Sequence, residues 1–170
     1  MLREIITDAV VVLLEPGWLE VKSLSSGKKY AGVPKLSVSA REALRNAGPN
    51  VDLNSIAAQP GGMVTVEPFS HPRVVVTDAE FAGRLLKEFL RKLYGRKRLL
   101  PSLKLFIYPP AARRKDISFV EAEALRAAAR VAGGKGFVVT LDKVFTAADL
   151  KEMQPARLEE DIAAHLKGAT

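Results

Sequence analysis

The sequence predicts an α/β domain: a five-stranded mixed sheet, three antiparallel strands followed by parallel crossovers, with helices packed against it. Three observations lead there. Short apolar runs separated by Pro/Gly turns fill the N-terminal part of the chain. The segment Thr77–Tyr94 places Phe81, Ala82, Leu85, Leu86, Phe89, Leu90 and Leu93 at helical spacing, giving one wide buried face. After it the chain reads strand, helix, strand, the layout of right-handed parallel crossovers with both helices on one sheet.

The elements follow in order. Ile5–Leu14 is strongly apolar, and its β-branched half from Val10 reads as a buried strand. Glu15-Pro16-Gly17 turns the chain. Trp18–Leu24 alternates apolar and polar residues as a returning strand, and the lone tryptophan fits a core-filling or half-exposed packing role better than a ligand contact. Lys28–Ser39 is a third extended run broken at Pro34, which completes an antiparallel meander. Ser39–Ala47 is a short helix, Val51–Gly62 an irregular connection, and Met63–Val66 a brief extended stretch.

The Val74–Val76 run leads into the long helix, for which Thr77 and Glu80 form a T-x-x-E capping box. Leu103–Tyr108 is a strand halted by Pro109-Pro110. Ser118–Val131 is a second helix with a Ser118/Glu121 capping box, ended by Gly133-Gly134, and Gly136–Leu141 is the strand after it. Thr146 caps a short helix to Met153 with Asp149 at its third position, and Ala156–Leu166 is a last amphipathic helix. Residues 1–170 are expected to form one domain, with 142–170 as a C-terminal helical extension.

Bulk properties set limits. Apolar residues make up 48% and charged residues 26%, ordinary globular composition. No run approaches the ~18 apolar residues of a membrane-spanning helix, and the N-terminus lacks a signal-peptide layout. The absence of cysteine removes disulfides, thiolate metal sites and a cysteine nucleophile, and fits a cytoplasmic protein. The net charge is +7, much of it in two clusters: Arg91, Lys92, Arg96, Lys97 and Arg98 with Lys104, and Arg113, Arg114 and Lys115. Such clusters suit an anionic partner, either nucleic acid or an acidic lipid surface. They equally suit a solvated basic surface at helix ends. Aromatics are not interleaved with them apart from Tyr94 and Tyr108, which disfavours a single-stranded nucleic acid platform.

No catalytic constellation emerges. The order of elements is that of the ribonuclease H-like fold, whose nucleases need carboxylates at strand ends to hold two metals. Val10–Leu14 contains none, and Glu15 with Asp142 is a thin basis for a metal site. His71 and His165 stand alone, as surface residues do. Ser25, Ser26 and Ser70 lack a strand–turn–helix G-x-S-x-G setting. Gly133-Gly134-Lys135-Gly136 follows a helix and precedes a strand, the reverse of a phosphate-cradling Walker loop.

Several strings carry a resemblance. They are Ala40–Leu44 through Gly48-Pro49, Glu67–Phe69 through Val74–Asp78, and then Glu80, Leu85-Leu86 and Phe89-Leu90. Downstream come Pro101, Leu105–Pro109 and Glu121–Gly133. Together, over about residues 10 to 141, these resemble the first large subdomain of the MreB family of bacterial actin-like, rod-shape-determining proteins. The resemblance implies an actin-like ATPase subdomain and a role in cell shape or cytoskeletal organisation.

At the family's D-x-G-T phosphate turn this chain reads Glu15-Pro16-Gly17-Trp18, where proline lacks an N–H to offer phosphate. At the family's E-E-P-x-A-A-A-I-G-A-G it reads Leu141–Asp149, without the Glu-Pro pair or the glycines. The resemblance is therefore to a truncated, degenerate member, and Glu15 and Gly17 are not assigned as nucleotide contacts. The expectation is a non-catalytic domain with no cofactor, acting through self-association or a protein partner. The alternative is a basic module on an anionic surface.

Overall fold

The computed structural model describes residues 8–45, 62–95 and 103–152, and for 150–152 the backbone alone. The elements are β1 (Asp8–Glu15), β2 (Trp18–Ser23), β3 (Lys29–Gly32), β4 (Leu36–Ser39), α1 (Ala40–Arg45), β5 (Met63–Val66), α2 (Ala79–Tyr94), β6 (Leu103–Tyr108), α3 (Phe119–Ala132), β7 (Gly134–Val138) and α4 (Ala147–Glu152). The main sheet runs β3-β2-β1-β6-β7. β1–β2 and β2–β3 are antiparallel, while β1–β6 and β6–β7 are parallel. The predicted five-stranded mixed sheet is therefore present, with its first strand at the centre.

Period-two alternation divides that central strand between two cores. Val10, Val12 and Leu14 join Leu19, Val21, Leu105 and Ile107 beneath the apolar faces of α2 and α3. Ala9 and Val11 turn the other way, with Phe106, Tyr108, Val139 and Phe145. Phe106 and Tyr108 are fully buried, worth about 1.5–3 kcal/mol for a large side chain. The two helices approach closely because small residues meet there. A Cβ on Gly83 of α2 would lie 2.4 Å from the Val131 Cβ and 2.6 Å from the Ala128 carbonyl of α3.

Three local expectations are corrected. The run Lys28–Ser39 is not one strand: β3 stays in the main sheet, and after Val33-Pro34-Lys35 the chain enters β4, which pairs with β5 in a second, two-stranded sheet. Met63–Val66 is the partner that this separate ladder requires. The cap of α2 is Asp78, whose carboxylate accepts the Phe81 N–H at 2.8 Å. Thr77 instead spends its N–H and hydroxyl on the Pro68 carbonyl, at 3.0 and 3.3 Å. Finally, β7 starts at Gly134, opposite Leu103, two residues earlier than the glycines suggested. Gly133 alone is the left-handed cap (φ 95°), whereas Gly136 is needed for packing, since a Cβ there would lie 2.6 Å from the Ala129 Cβ.

The Ser118/Glu121 capping box forms as expected, and Thr146 caps α4 with Asp149. Of the Ser39–Ala47 helix, Ala40–Arg45 is present. Most of the Val51–Gly62 connection and the Ala156–Leu166 helix lie outside the described residues.

Candidate functional site

Parallel strands deliver their C-terminal ends, and the loops that follow them, to one edge of a sheet, the usual place for ligands in open α/β folds. At that edge stand the β1–β2 turn Glu15–Trp18, the loop from Pro109 that follows β6, and the segment from Val139 that follows β7. The chain's own groups occupy one another there. Glu15 Oε1 accepts the Ala111 N–H at 3.3 Å. Pro16 has no N–H, Gly17 makes the turn, and Trp18, 48% exposed, pairs back on Glu15.

The Arg113–Lys115 cluster lies at this edge and is engaged internally. Arg114 is 7% exposed: its Nε donates to the Pro109 carbonyl at 3.1 Å and its guanidinium lies over the Tyr108 ring. Its Nη1 is 3.6 Å from Asp142, which also faces Lys115 at 3.7 Å. Both Lys115 and Asp142 are well exposed, so their pairing is weak. Arg113 donates to Glu121 at 3.0 Å.

The Tyr108 hydroxyl, at the end of β6, latches the following segment. It donates to the Lys143 carbonyl at 2.9 Å and accepts the Phe145 N–H at 2.8 Å. Burial pushes the Tyr108 pKa up to about 12, so the phenol keeps its proton. Beyond it, Lys143 Nζ meets Asp149 at 2.8 Å. Burial raises the Asp149 pKa, but Lys143 and the Thr146 donors outweigh it and hold the carboxyl below the usual carboxylate range. The two acids singled out for a metal, Glu15 and Asp142, thus each have partners of their own. Among the described residues no group of three His, Cys, Asp or Glu could hold a metal ion. His71 orders its loop, its Nδ1 accepting the N–H groups of Arg73 and Val74 at 3.1 and 3.3 Å, and His165 lies outside the described residues.

The opposite end of the sheet holds a cluster that sequence reasoning missed. Asp8, 2% exposed at the start of β1, accepts from the Ala9 N–H at 2.8 Å, the Ser23 hydroxyl at 2.8 Å, the Ser25 N–H at 3.4 Å and the Tyr94 hydroxyl. It ties the end of α2 to the β2–β3 turn. The only signal in the sequence is an acid opening an apolar strand. Arg91 and Lys92 sit exposed in the last turn of α2, at this end. The two predicted cation clusters therefore lie at opposite ends of β6, roughly 15–20 Å apart at ~3.3 Å per residue, and form no single patch. Arg96, Lys97 and Arg98 lie outside the described residues.

Exposed apolar side chains stand at two separate places near the strand ends. Trp18 (48%) and Val33 (53%) flank the paired Leu19 and Gly32, and Phe119 (77%) and Val120 (76%) open α3. No helix among the described residues is long and apolar enough to cross a membrane.

Comparison with known proteins places the architecture. No family model matches the chain, and no curated protein does. Among solved structures it is similar to MreB5 of Spiroplasma citri bound to ADP, with a TM-score of 0.51 and 14% identity over 79% of this chain and 38% of that one. The AMPPNP-bound form of MreB5 from the same organism aligns at a TM-score of 0.47 with 14% identity, over 78% of this chain and 38% of the other. The fold is actin-like. The chain spans under two fifths of the length of these proteins.

Proposed function

We propose that the chain is an actin-like domain of MreB type, degenerate at its nucleotide motifs, that works through protein contacts and not through catalysis. The process it serves is cell-shape or cytoskeletal organisation. One observation carries the reading. The strand-end edge, where open α/β folds take their ligands and where the resemblance to the MreB family implies a phosphate turn, is filled here by Glu15 on the Ala111 amide, a proline and a tryptophan. A phosphate approaching Pro16 meets no N–H, and the nearby guanidinium of Arg114 is buried and already bonded.

The exposed pair Trp18 and Val33, adjoining the paired Leu19 and Gly32, and the exposed pair Phe119 and Val120 at the start of α3 support a contact role, since large apolar side chains left on a surface suit interaction sites. The partner is a second copy or another protein. Titration calorimetry with Mg-ATP, with Trp18 fluorescence as a parallel readout, tests the reading. No heat and an unchanged spectrum are expected; saturable binding in the micromolar range would restore a nucleotide switch.

A further inference from the structure

The sheet face turned away from α2 and α3 carries a pattern that the contact role leaves unused. Ala9 and Val11 of β1 face that way, with Phe106 beside them on β6. On one side of this apolar strip, Lys22 stands opposite Val11 and Lys29 opposite Lys22. On the other side, Lys104 stands opposite Ala9 and Lys135 opposite Lys104. Register therefore sets two lysine pairs, one on β2–β3 and one on β6–β7, astride β1 on a single face. β2 and β6 are two strand spacings apart, about 10 Å. No ion pair joins Lys22, Lys29 or Lys104 to a described residue. Glu15 and Glu20, the strand acids that share this face, lie toward its other end with Trp18. Burial, and then the charge of Lys135, hold the Lys104 ammonium below the ordinary lysine value.

The chain is already on this side when it reaches its last described element. Phe145 packs its ring on Phe106, centroids 4.8 Å apart, and α4 follows at Ala147–Glu152. Residues 153–170 continue from there, outside the described residues. Their sequence is the complement of the face. At helical spacing Leu158, Ile162 and Leu166 fall on one stripe, with Glu159 and Asp161 on its two flanks and Glu160 on the far side. A helix is about 10–12 Å across with its side chains, which matches the strip between the lysine pairs.

We infer that residues 156–166 of this chain form a helix that docks along β1 on this face, its acids against the two lysine pairs. Charge complementarity and the place where the described chain ends carry the assignment. Both long helices, α2 and α3, pack on the other face, yet Ala9 and Val11 are only 2% and 1% exposed on this one. An acidic amphipathic helix from a second copy would meet the same lysines. The chain's own segment has the advantage, because a short tether sets its effective concentration in the millimolar range. Docked there, it closes the lysine end of the face to acidic partners and leaves Trp18 and Val33 uncovered at the other end.

The chain has no cysteine, so Glu160→Cys in the full chain carries a nitroxide at a unique place. Paramagnetic broadening of backbone amide signals tests the docking. The amides of Lys22, Lys29 and Lys104 are expected to lose most of their intensity, while those of Lys87 and Arg91, exposed residues of α2, keep theirs. Adding Glu159→Lys with Asp161→Lys should remove the broadening. Adding Lys22→Glu with Lys135→Glu to that variant should restore it, which a folding defect would not do. The inference is overturned if the broadening is absent or equal on the two faces, or if the charge reversals leave it unchanged. It is equally overturned if isotope-labelled chains without nitroxide are broadened as strongly when mixed with spin-labelled copies, since the helix then belongs to a second copy.

Discussion

Glu121 Oε1 accepts the backbone N–H of Val75 at 3.0 Å, which fastens the strandless run before α2 to the first turn of α3. The same oxygen takes the Arg113 guanidinium at 3.0 Å, while Oε2 closes the capping box with the Ser118 N–H and hydroxyl at 3.0 and 2.9 Å. One side chain thus caps a helix, anchors a loop and receives a cation.

Replacing it should therefore cost more than a surface carboxylate would. Glu121→Ala removes the cap contact and leaves the Val75 amide without its acceptor, an expected loss of about 2 kcal/mol. Urea unfolding should show a lower midpoint with an unchanged m-value. Glu121→Gln keeps an acceptor oxygen and should lose less.

Acid should unfold the protein through identifiable groups. Burial raises the Glu121 pKa, but the Ser118 and Val75 donors and Arg113 outweigh it, leaving it below its ordinary 4.5. The Ser39 donors and Arg84 likewise lower Glu42, and Asp149 is depressed further. Each folded-state pKa lies below its unfolded value, so the stability these groups supply is complete above roughly pH 4.5 and is lost as pH falls through the folded values. Tm measured against pH should be flat near neutrality and drop on the acid side, and Glu121→Gln should shallow that drop.

Gly83→Ala should destabilise the protein even though alanine favours a helix by about 1 kcal/mol. The new methyl would sit 2.6 Å from the Ala128 carbonyl, a backbone atom that cannot rotate aside. Separating α2 from α3 outweighs the propensity gain, for a net loss of about 1–3 kcal/mol. A lower Tm by calorimetry is the expected result, and an unchanged or higher one would show that the helices can part freely.

Tyr108→Phe should release the segment after β7 without disturbing the sheet. The hydroxyl bridges the Lys143 carbonyl and the Phe145 N–H, and its loss leaves both unpaired, at about 1–3 kcal/mol. Faster hydrogen exchange at Phe145, with β1 and β6 amides little changed, is the expected signature.

Trp18→Ser with Val33→Ser should lower any self-association seen by sedimentation at high concentration while leaving the melting curve nearly in place, because both side chains are about half exposed. A parent chain that stays monomeric at every concentration, with no protein partner, would count against the contact role.

Local signals gave much of this fold. The apolar spacing of α2, the Ser118/Glu121 box and the proline stop after β6 each depend on neighbours within one or two turns, so the sequence displays them directly. Where two local solutions compete, the sequence misleads. Thr77 and Asp78 can both cap α2, and the Pro68 carbonyl, distant in sequence, decides between them by taking the threonine. Gly134 reads as part of the helix stop, but its pairing opposite Leu103 makes it the first residue of β7.

The candidate site was least legible because it depends on register. Arg113–Lys115 reads as a free cationic run until Pro109, Glu121 and Asp142 are brought beside it. Asp8 reads only as an acid opening an apolar strand until Ser23 and Tyr94, distant in sequence, are brought to its carboxylate.

The position of β1 also sets the order of events on the ribosome. Its antiparallel partner follows within a few residues, Glu15 opposite Trp18, but its other neighbour begins at Leu103, opposite Asp8. Until β6 is synthesised, the hairpin carries a long apolar strand with one side unpaired, a template for misassociation. Closure across so long a loop contributes high contact order and slow folding. Nascent chains halted before β6 are therefore the species on which a chaperone would act.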